Sequence, residues 1–206
     1  MTRGMQFFIL TMLLFLTTSN SVVLAADQND LFSLGLKTLE SPKASVAYKQ
    51  FIQIYQIVSP HPDSDTEAFI QQAKKGESDS FALIAYYIWS GYAGFRENKL
   101  AGKIALTRAM KDGSSQAPFW IAQTFFQVES SSSDKERADN FFSGIQWLGV
   151  SAGMGESRSH DKAMNLIEET AKGDQNIQQN LMSLYNLGLE ESKQYKKTST
   201  SKKTKK

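Results

Sequence analysis

The chain of 206 residues has no cysteine, only two histidines and only four prolines. The missing cysteines exclude disulfide bridges, thiol nucleophiles and thiolate metal sites. The histidines, His61 and His160, have no second ligand at a metal-binding interval. We therefore expect a fold held together by packing alone, with no metal and no cofactor.

Strongly apolar sequence is also scarce, and its one long run lies near the N-terminus. Phe7 to Leu16 follows Arg3, and Val23-Leu24-Ala25 fits the small-residue rule for signal-peptide cleavage. The run is shorter than the roughly 20 residues that a membrane-spanning helix needs. The pattern predicts a signal peptide at 1–25 and a periplasmic or secreted mature protein, with an uncleaved anchor as the alternative.

No segment alternates apolar and polar residues over a useful length, so the sequence predicts essentially no β-sheet. Apolar residues recur instead at the spacing of an α-helix. Helices are predicted near 31–39, 44–58, 65–75, 79–91, 97–112, 117–129, 134–152, 159–172 and 177–191.

One spacing pattern recurs along the chain: a glycine, a small or apolar residue four positions later, and then an apolar pair. Copies begin at Gly76, Gly113 and Gly173, and a weaker copy begins at Gly155. Self-similarity with a period near forty residues indicates a repeat array, and such arrays present a surface to a partner. The four glycines fall where helix C-termini need a left-handed residue. The pattern leaves open whether 155–173 is the first or the second helix of its unit.

The spacing resembles the Sel1-like repeat, a relative of the tetratricopeptide repeat, over about residues 64–190. The best local match runs from Ala171 to Gly188, and residues 76–113 match one full unit in spacing. The resemblance implies an all-α fold, a right-handed α-solenoid of antiparallel helix pairs, and a role in protein–protein contact. The consensus Asp, Lys, Ala and Trp are replaced by Asn98, Ala101, Gly102 and Ala105.

The resemblance and the composition together divide the chain. We predict a signal peptide at 1–25, a divergent helix pair at 26–62, the repeat array at 63–191 and a disordered Lys-rich tail at 192–206. The tail carries seven lysines and no acid, whereas the rest of the mature chain has a net charge of −6. Attachment of this tail to an anionic envelope surface is one hypothesis, and a merely solubilising end is the other.

The resemblance also implies positions for a partner-binding groove. In tetratricopeptide geometry, groove residues follow the packing position of each first helix by two and five residues. The predicted groove is therefore aromatic at one end and rich in amides at the other. Burial of the rings between irregularly packed helices is the alternative. The predicted partner-binding residues are Tyr86, Trp89, Phe119, Gln123, Phe126, Gln179 and Asn186.

Catalytic motifs are weak in this chain. Ser159-His160-Asp161-Lys162 spells the S-x-x-K motif of penicillin-binding serine enzymes, but the accompanying S-D-N and K-T-G elements are missing. We therefore predict a non-enzymatic, exported adaptor that binds a protein or peptide through its concave face, binds no nucleic acid, and scaffolds an envelope-associated complex. The alternatives are a cell-wall or β-lactam-acting hydrolase and an envelope-attached structural protein that works through its basic tail.

Overall fold

A computed structural model describes residues 28–59, 64–127 and 132–203, and all regular secondary structure in these ranges is α-helical. The prediction of an all-α fold is thereby confirmed for this part of the chain. The predicted signal peptide lies outside the described residues. Within the described ranges, no helix combines the length and the apolar character needed to cross a membrane. The packing reported below is that of one compact unit, Gly35–Lys206.

Each predicted helix is present, and most bounds differ from the prediction by only a few residues. The helices are α1 (Gln28–Thr38), α2 (Ala44–Val58), α3 (Ser64–Lys74), α4 (Ser78–Ser90), α5 (Lys99–Lys111), α6 (Ala117–Phe126), α7 (Asp134–Met154), α8 (Arg158–Ala171) and α9 (Gln175–Lys203).

The last helix is the exception, because α9 continues to Lys203 where the sequence predicted an end at 191 and a disordered tail. Ser192 is buried against Gly153 of α7, so packing supports the helix past the predicted end. Lys193 also forms an ion pair with Glu190, with 2.5 Å between Nζ and Oε2. Extending a helix that already exists avoids the cost of nucleation, so lysine, serine and threonine residues can continue it.

Local side chains fix where several helices begin. Glu77 accepts hydrogen bonds from the backbone N–H groups of Asp79 and Ser80 at the start of α4. Asn98 accepts one from Ala101 N–H at the start of α5, over 2.9 Å. These side chains satisfy donors that have no partner inside the helix, and such a cap stabilises a helix by about 1 kcal/mol.

The four repeat glycines adopt the left-handed backbone that the sequence predicted, with φ of 88° to 104°. Gly113 shows the role they share: its N–H donates to the carbonyl of Met110, and the chain then turns toward α6. A residue with a Cβ is strained at such an angle. These glycines therefore allow the chain to end one helix and turn into the next.

Neighbouring helices pack in a repeat-like sequence. The contacts join α3 to α4, α4 to α5, α6 to α7 and α8 to α9, and α4 also packs on α6. The closest approach is between α7 and α9, where Gly149 and Gly188 bring the two backbones together. A Cβ added to Gly188 would lie 2.8 Å from Val150 N, so a larger side chain there would push the two helices apart.

Two groups of buried side chains hold the helices together. In the first, the rings of Tyr48 and Phe81 stack with centroids 3.7 Å apart, and Tyr48 Oη donates to Asp112 Oδ2 over 2.8 Å. In the second, side chains of α6, α7, α8 and α9 pack together. Its buried members are Phe119, Ala122, Ile145, Leu148, Ala163, Ile167, Leu181 and Tyr185. This second core fixes α6 against α8 and so positions the surface described next.

Candidate functional site

Three of the predicted groove residues, Tyr86, Gln123 and Phe126, lie on one surface formed by α4 and α6, and Phe119 is buried next to it. Tyr86 of α4 stacks on Trp120 of α6, with ring centroids 4.7 Å apart. Trp120 in turn meets Phe119 edge to face at 5.2 Å, and Gln123 and Phe126 follow on the same helix. The packing of α4 on α6 therefore brings these residues together from two helices.

Two of the predicted groove rings are buried instead of exposed. Trp89 and Phe119 are each only 8% exposed. Trp89 packs against Gly102 of α5, and Phe119 belongs to the core shared with α8. The alternative that the sequence left open, burial between helices, thus applies to both. The expected exposed strip is wrong at these two positions, because α5 approaches Trp89 closely at Gly102 and because Phe119 packs with Ala163 and Ile167 of α8.

The amide end of the predicted groove is separate. Gln179 and Asn186 are exposed on α9. In the described part of the chain, no ring contact or hydrogen bond joins either side chain to Gln123 or Phe126. The structure therefore does not bring Gln179 and Asn186 together with the aromatic residues of α6.

Trp120 was not identified from the sequence, although it is central to this surface. It stands directly before the packing residue Ile121, whereas the groove positions were predicted two and five residues after a packing residue. Trp120 and Gln123 lie three residues apart on one face of α6, and Gln127, four residues after Gln123, directly follows the helix. That spacing was the available signal. Gln127 Nε2 confirms the shared face by donating to Tyr86 Oη over 2.5 Å.

Two cations of α8, Arg158 and Lys162, complete the surface. Arg158 Cζ lies 4.5 Å from the ring centroid of Phe119 and 5.7 Å from that of Trp120. Lys162 Nζ lies 5.8 Å from Phe119 and 5.7 Å from Phe126. Cations over aromatic faces at such distances are attracted by the ring quadrupole. The aromatic–basic face is defined here as Tyr86, Trp120, Gln123, Phe126, Arg158 and Lys162.

Lys162 is half-buried and has a neutral partner. Its Nζ donates to Gln123 Oε1 over 2.6 Å, and no carboxylate pairs with it in the described ranges. Burial lowers the pKa of Lys162, because desolvation disfavours the ammonium form. The sequence indicates that Lys162 has no ion pair within its own helix, since no acid stands three or four residues before or after it.

Within the described residues, two polar atoms beneath the face have no hydrogen-bond partner. Gln123 bonds to Lys162 through its carbonyl oxygen, and its Nε2 is buried without an acceptor there. Trp120 Nε1 is also buried without a partner in the described ranges. Burying an unsatisfied polar group costs about 1–3 kcal/mol.

Within the described residues, the side chain of Arg158 is hydrogen-bonded through one of its three nitrogens. Its Nε donates to Glu156 Oε1 over 2.7 Å, and this bond is the largest cause of the lowered pKa of Glu156. Glu156 is 8% exposed, whereas the Arg158 side chain is 51% exposed. Neither terminal nitrogen of Arg158 makes a hydrogen bond within the described residues. The guanidinium is thus held in place with its outer edge open.

The S-x-x-K residues do not form a nucleophile and base. Ser159 is fully buried, and its hydroxyl donates to Ser151 Oγ over 2.7 Å. Lys162 bonds to Gln123 and not to Ser159. His160 Nδ1 lies 2.9 Å from Tyr185 Oη, which ties α8 to α9. No cluster of three potential metal ligands occurs in the part of the chain that the structure describes, and His61 lies outside it.

No protein-family model matches the chain, and comparisons with curated proteins and with solved structures give no match either.

Proposed function

We propose that this protein is an exported adaptor that binds a protein or peptide partner through the aromatic–basic face and thereby scaffolds an envelope-associated complex. The observation that carries the proposal is the placement of half-buried rings and two cations on one surface built from α4, α6 and α8. Trp120 stacked on Tyr86 is its centre.

The chemistry of this surface suits a binding interface. Aromatic and arginine side chains are enriched among the residues that contribute most binding energy in protein interfaces. The rings here are already held by stacking and by packing on the core, so little side-chain entropy remains to be lost on association. A partner that covers the face would also desolvate the Arg158 and Lys162 contacts with the rings.

The repeat organisation is part of the same proposal. We propose that α4–α5, α6–α7 and α8–α9 are successive Sel1-like units of a right-handed solenoid, with α8 as the first helix of its unit. In that register α4, α6 and α8 are the first helices of three consecutive units, and the aromatic–basic face lies on their shared surface. The N-terminal sequence supports export, because it combines an arginine, an apolar run and a small-residue cleavage site.

Site-resolved photo-crosslinking tests this function. A photoreactive amino acid replaces Gln127, which is exposed beside Tyr86, and the matched control replaces Gln71, which is exposed on α3. The proposal predicts one discrete adduct, identified by mass spectrometry, in cells that carry the Gln127 variant and none with Gln71. Equal labelling at both positions, or no adduct at Gln127, would contradict it.

A further inference from the structure

The aromatic–basic face has positive charge that the chain does not balance locally. Arg158 and Lys162 both lie within 6 Å of the Phe119 ring centroid, and Glu156 is the one carboxylate paired with either of them in the described residues. The chain between the signal peptide and the tail is acidic overall, with a net charge of −6. A local excess of cations on an acidic body marks this surface as a place for an external anion.

The two cations differ in what they offer to that anion. The open edge of Arg158 presents two terminal nitrogens in a planar fork, which matches the two oxygens of a carboxylate. Lys162 offers an ammonium group whose described hydrogen bond goes to an uncharged amide. Lys162 is half-buried beside the Phe119 and Phe126 rings, so an ion pair made there is stronger than one made on an open surface.

The spacing of the cations limits the shape of the ligand. Four residues of helix separate Arg158 from Lys162, which corresponds to about 6 Å along the axis of α8. In an extended peptide, side chains two positions apart point the same way and are separated by about 6.6 Å. The side chain between the two acids points away from the face, whereas side chains two positions beyond either acid point toward it and can contact Trp120 and Phe126.

We infer that the aromatic–basic face takes an extended acidic segment of a partner protein, in which two carboxylates are separated by one residue. This inference rests on the proposed function and specifies the ligand of the same face. Arg158 pairs with one carboxylate and Lys162 with the other, while apolar side chains two positions beyond the acids lie on the rings of α6.

Other anionic partners fit the observations less well. Attachment to an anionic membrane generally takes clusters of four to eight basic residues, and this face has two cations. Nucleic-acid binding likewise depends on many phosphate contacts along a basic track. A short acidic peptide requires only the two cations that are present.

The test measures binding of short fluorescent peptides to the full chain by anisotropy. The probe carries Asp-Leu-Asp at its centre, and the comparison peptides carry Asn-Leu-Asn, Lys-Leu-Lys and the reordered Asp-Asp-Leu. We expect the Asp-Leu-Asp peptide to bind at least about tenfold more tightly than each of the others. The variants Arg158→Gln and Lys162→Gln should each weaken it about tenfold, whereas Lys49→Gln, which removes an exposed cation of α2, should have no effect. Unchanged circular dichroism spectra establish that the variants remain folded.

The outcomes separate this inference from the proposed function. If the Asn-Leu-Asn peptide binds as tightly as Asp-Leu-Asp, or if no peptide binds while the Gln127 crosslink is present, the acidic-segment inference is overturned and the binding function stands. If phosphatidylglycerol vesicles bind in a Lys162-dependent manner and Asp-Leu-Asp does not bind, the ligand is a membrane and the inference is again overturned. If neither the crosslink nor peptide binding occurs, both proposals fail.

Discussion

Gly102 of α5 lies directly against the backbone of Trp89 of α4. A Cβ built on Gly102 would lie 2.7 Å from Trp89 Cα and 2.7 Å from the carbonyl oxygen of Ala85. Backbone atoms cannot move aside as a side chain can. The absence of a side chain at Gly102 is therefore what allows the two helices to meet and what buries the Trp89 ring.

Gly102→Ala should consequently destabilise the protein, although alanine is the better helix former. Overpacking of this kind costs about 1–3 kcal/mol in the free energy of unfolding. Gly35→Ala is the matched control, because a Cβ there would meet Ile54 and Tyr55 at ordinary distances of 3.6 and 3.7 Å. Urea denaturation of both variants checks the prediction. Equal midpoints would show that α4 and α5 are not in such close contact.

Trp89→Ala should lower the free energy of unfolding strongly, as expected for a core residue and not for an exposed binding residue. Removing a buried tryptophan leaves a cavity and costs about 3–5 kcal/mol. Tyr92, which is 63% exposed, gives the comparison: Tyr92→Ala should change the free energy of unfolding far less. Thermal or denaturant melts of the two variants measure the difference. A wild-type melting curve for Trp89→Ala would place the ring at the surface.

Gly113→Val should destabilise through the backbone, because its φ is 97°. A β-branched residue is strongly disfavoured in this left-handed region, and we expect a loss of more than about 1 kcal/mol. Gly113→Asn should be milder, since asparagine tolerates the left-handed conformation better. Denaturation midpoints in the order wild type, Asn, Val are expected, and a reversed order of the two variants would contradict the explanation.

The paired polar groups Gln123 and Lys162 should behave as a unit. Lys162→Met removes the partner of the Gln123 carbonyl and should cost about 1–3 kcal/mol, because a buried acceptor is left unsatisfied. Adding Gln123→Leu should recover most of that loss, since replacing both polar partners by apolar groups can be nearly neutral. Additive losses in a double-mutant cycle would show that the two side chains are not coupled.

The pKa of Lys162 gives this pair a pH dependence. Burial lowers the pKa in the folded state, so the unfolded chain binds that proton more tightly. The resulting destabilisation is complete at neutral pH and disappears as pH rises from the folded-state pKa to the usual lysine value. Nuclear magnetic resonance titration of the Lys162 side chain should show that its pKa lies below the ordinary lysine value. An unshifted or raised pKa of Lys162 would contradict burial as the cause.

The sequence predicted the features that depend on neighbouring residues along the chain. The helix at 44–58 and the left-handed Gly113 follow from spacing and from steric rules that act locally. The partner face was predicted only in part, because groove offsets assume a regular unit. They do not take into account that α5 packs closely on Trp89 at Gly102, or that Phe119 is part of the core.

The missed residues of the face depend on contacts between helices that are distant in sequence. Trp120 gains its role from Tyr86 of α4, and Lys162 gains its role from Gln123, thirty-nine positions earlier. Neither contact is encoded in a spacing within one helix. The extension of α9 past 191 likewise depends on Ser192 packing against Gly153.

The central claim, that the aromatic–basic face binds the partner, is tested most directly by the affinity of Trp120→Ala for the protein crosslinked at Gln127. Phe69→Ala, which truncates a 40% exposed ring on α3, is the control. An interfacial aromatic anchor is worth about 2 kcal/mol, so Trp120→Ala should weaken binding about thirtyfold while Phe69→Ala leaves it unchanged. If Trp120→Ala remains folded and binds the partner as tightly as the wild type, the face is not the binding site.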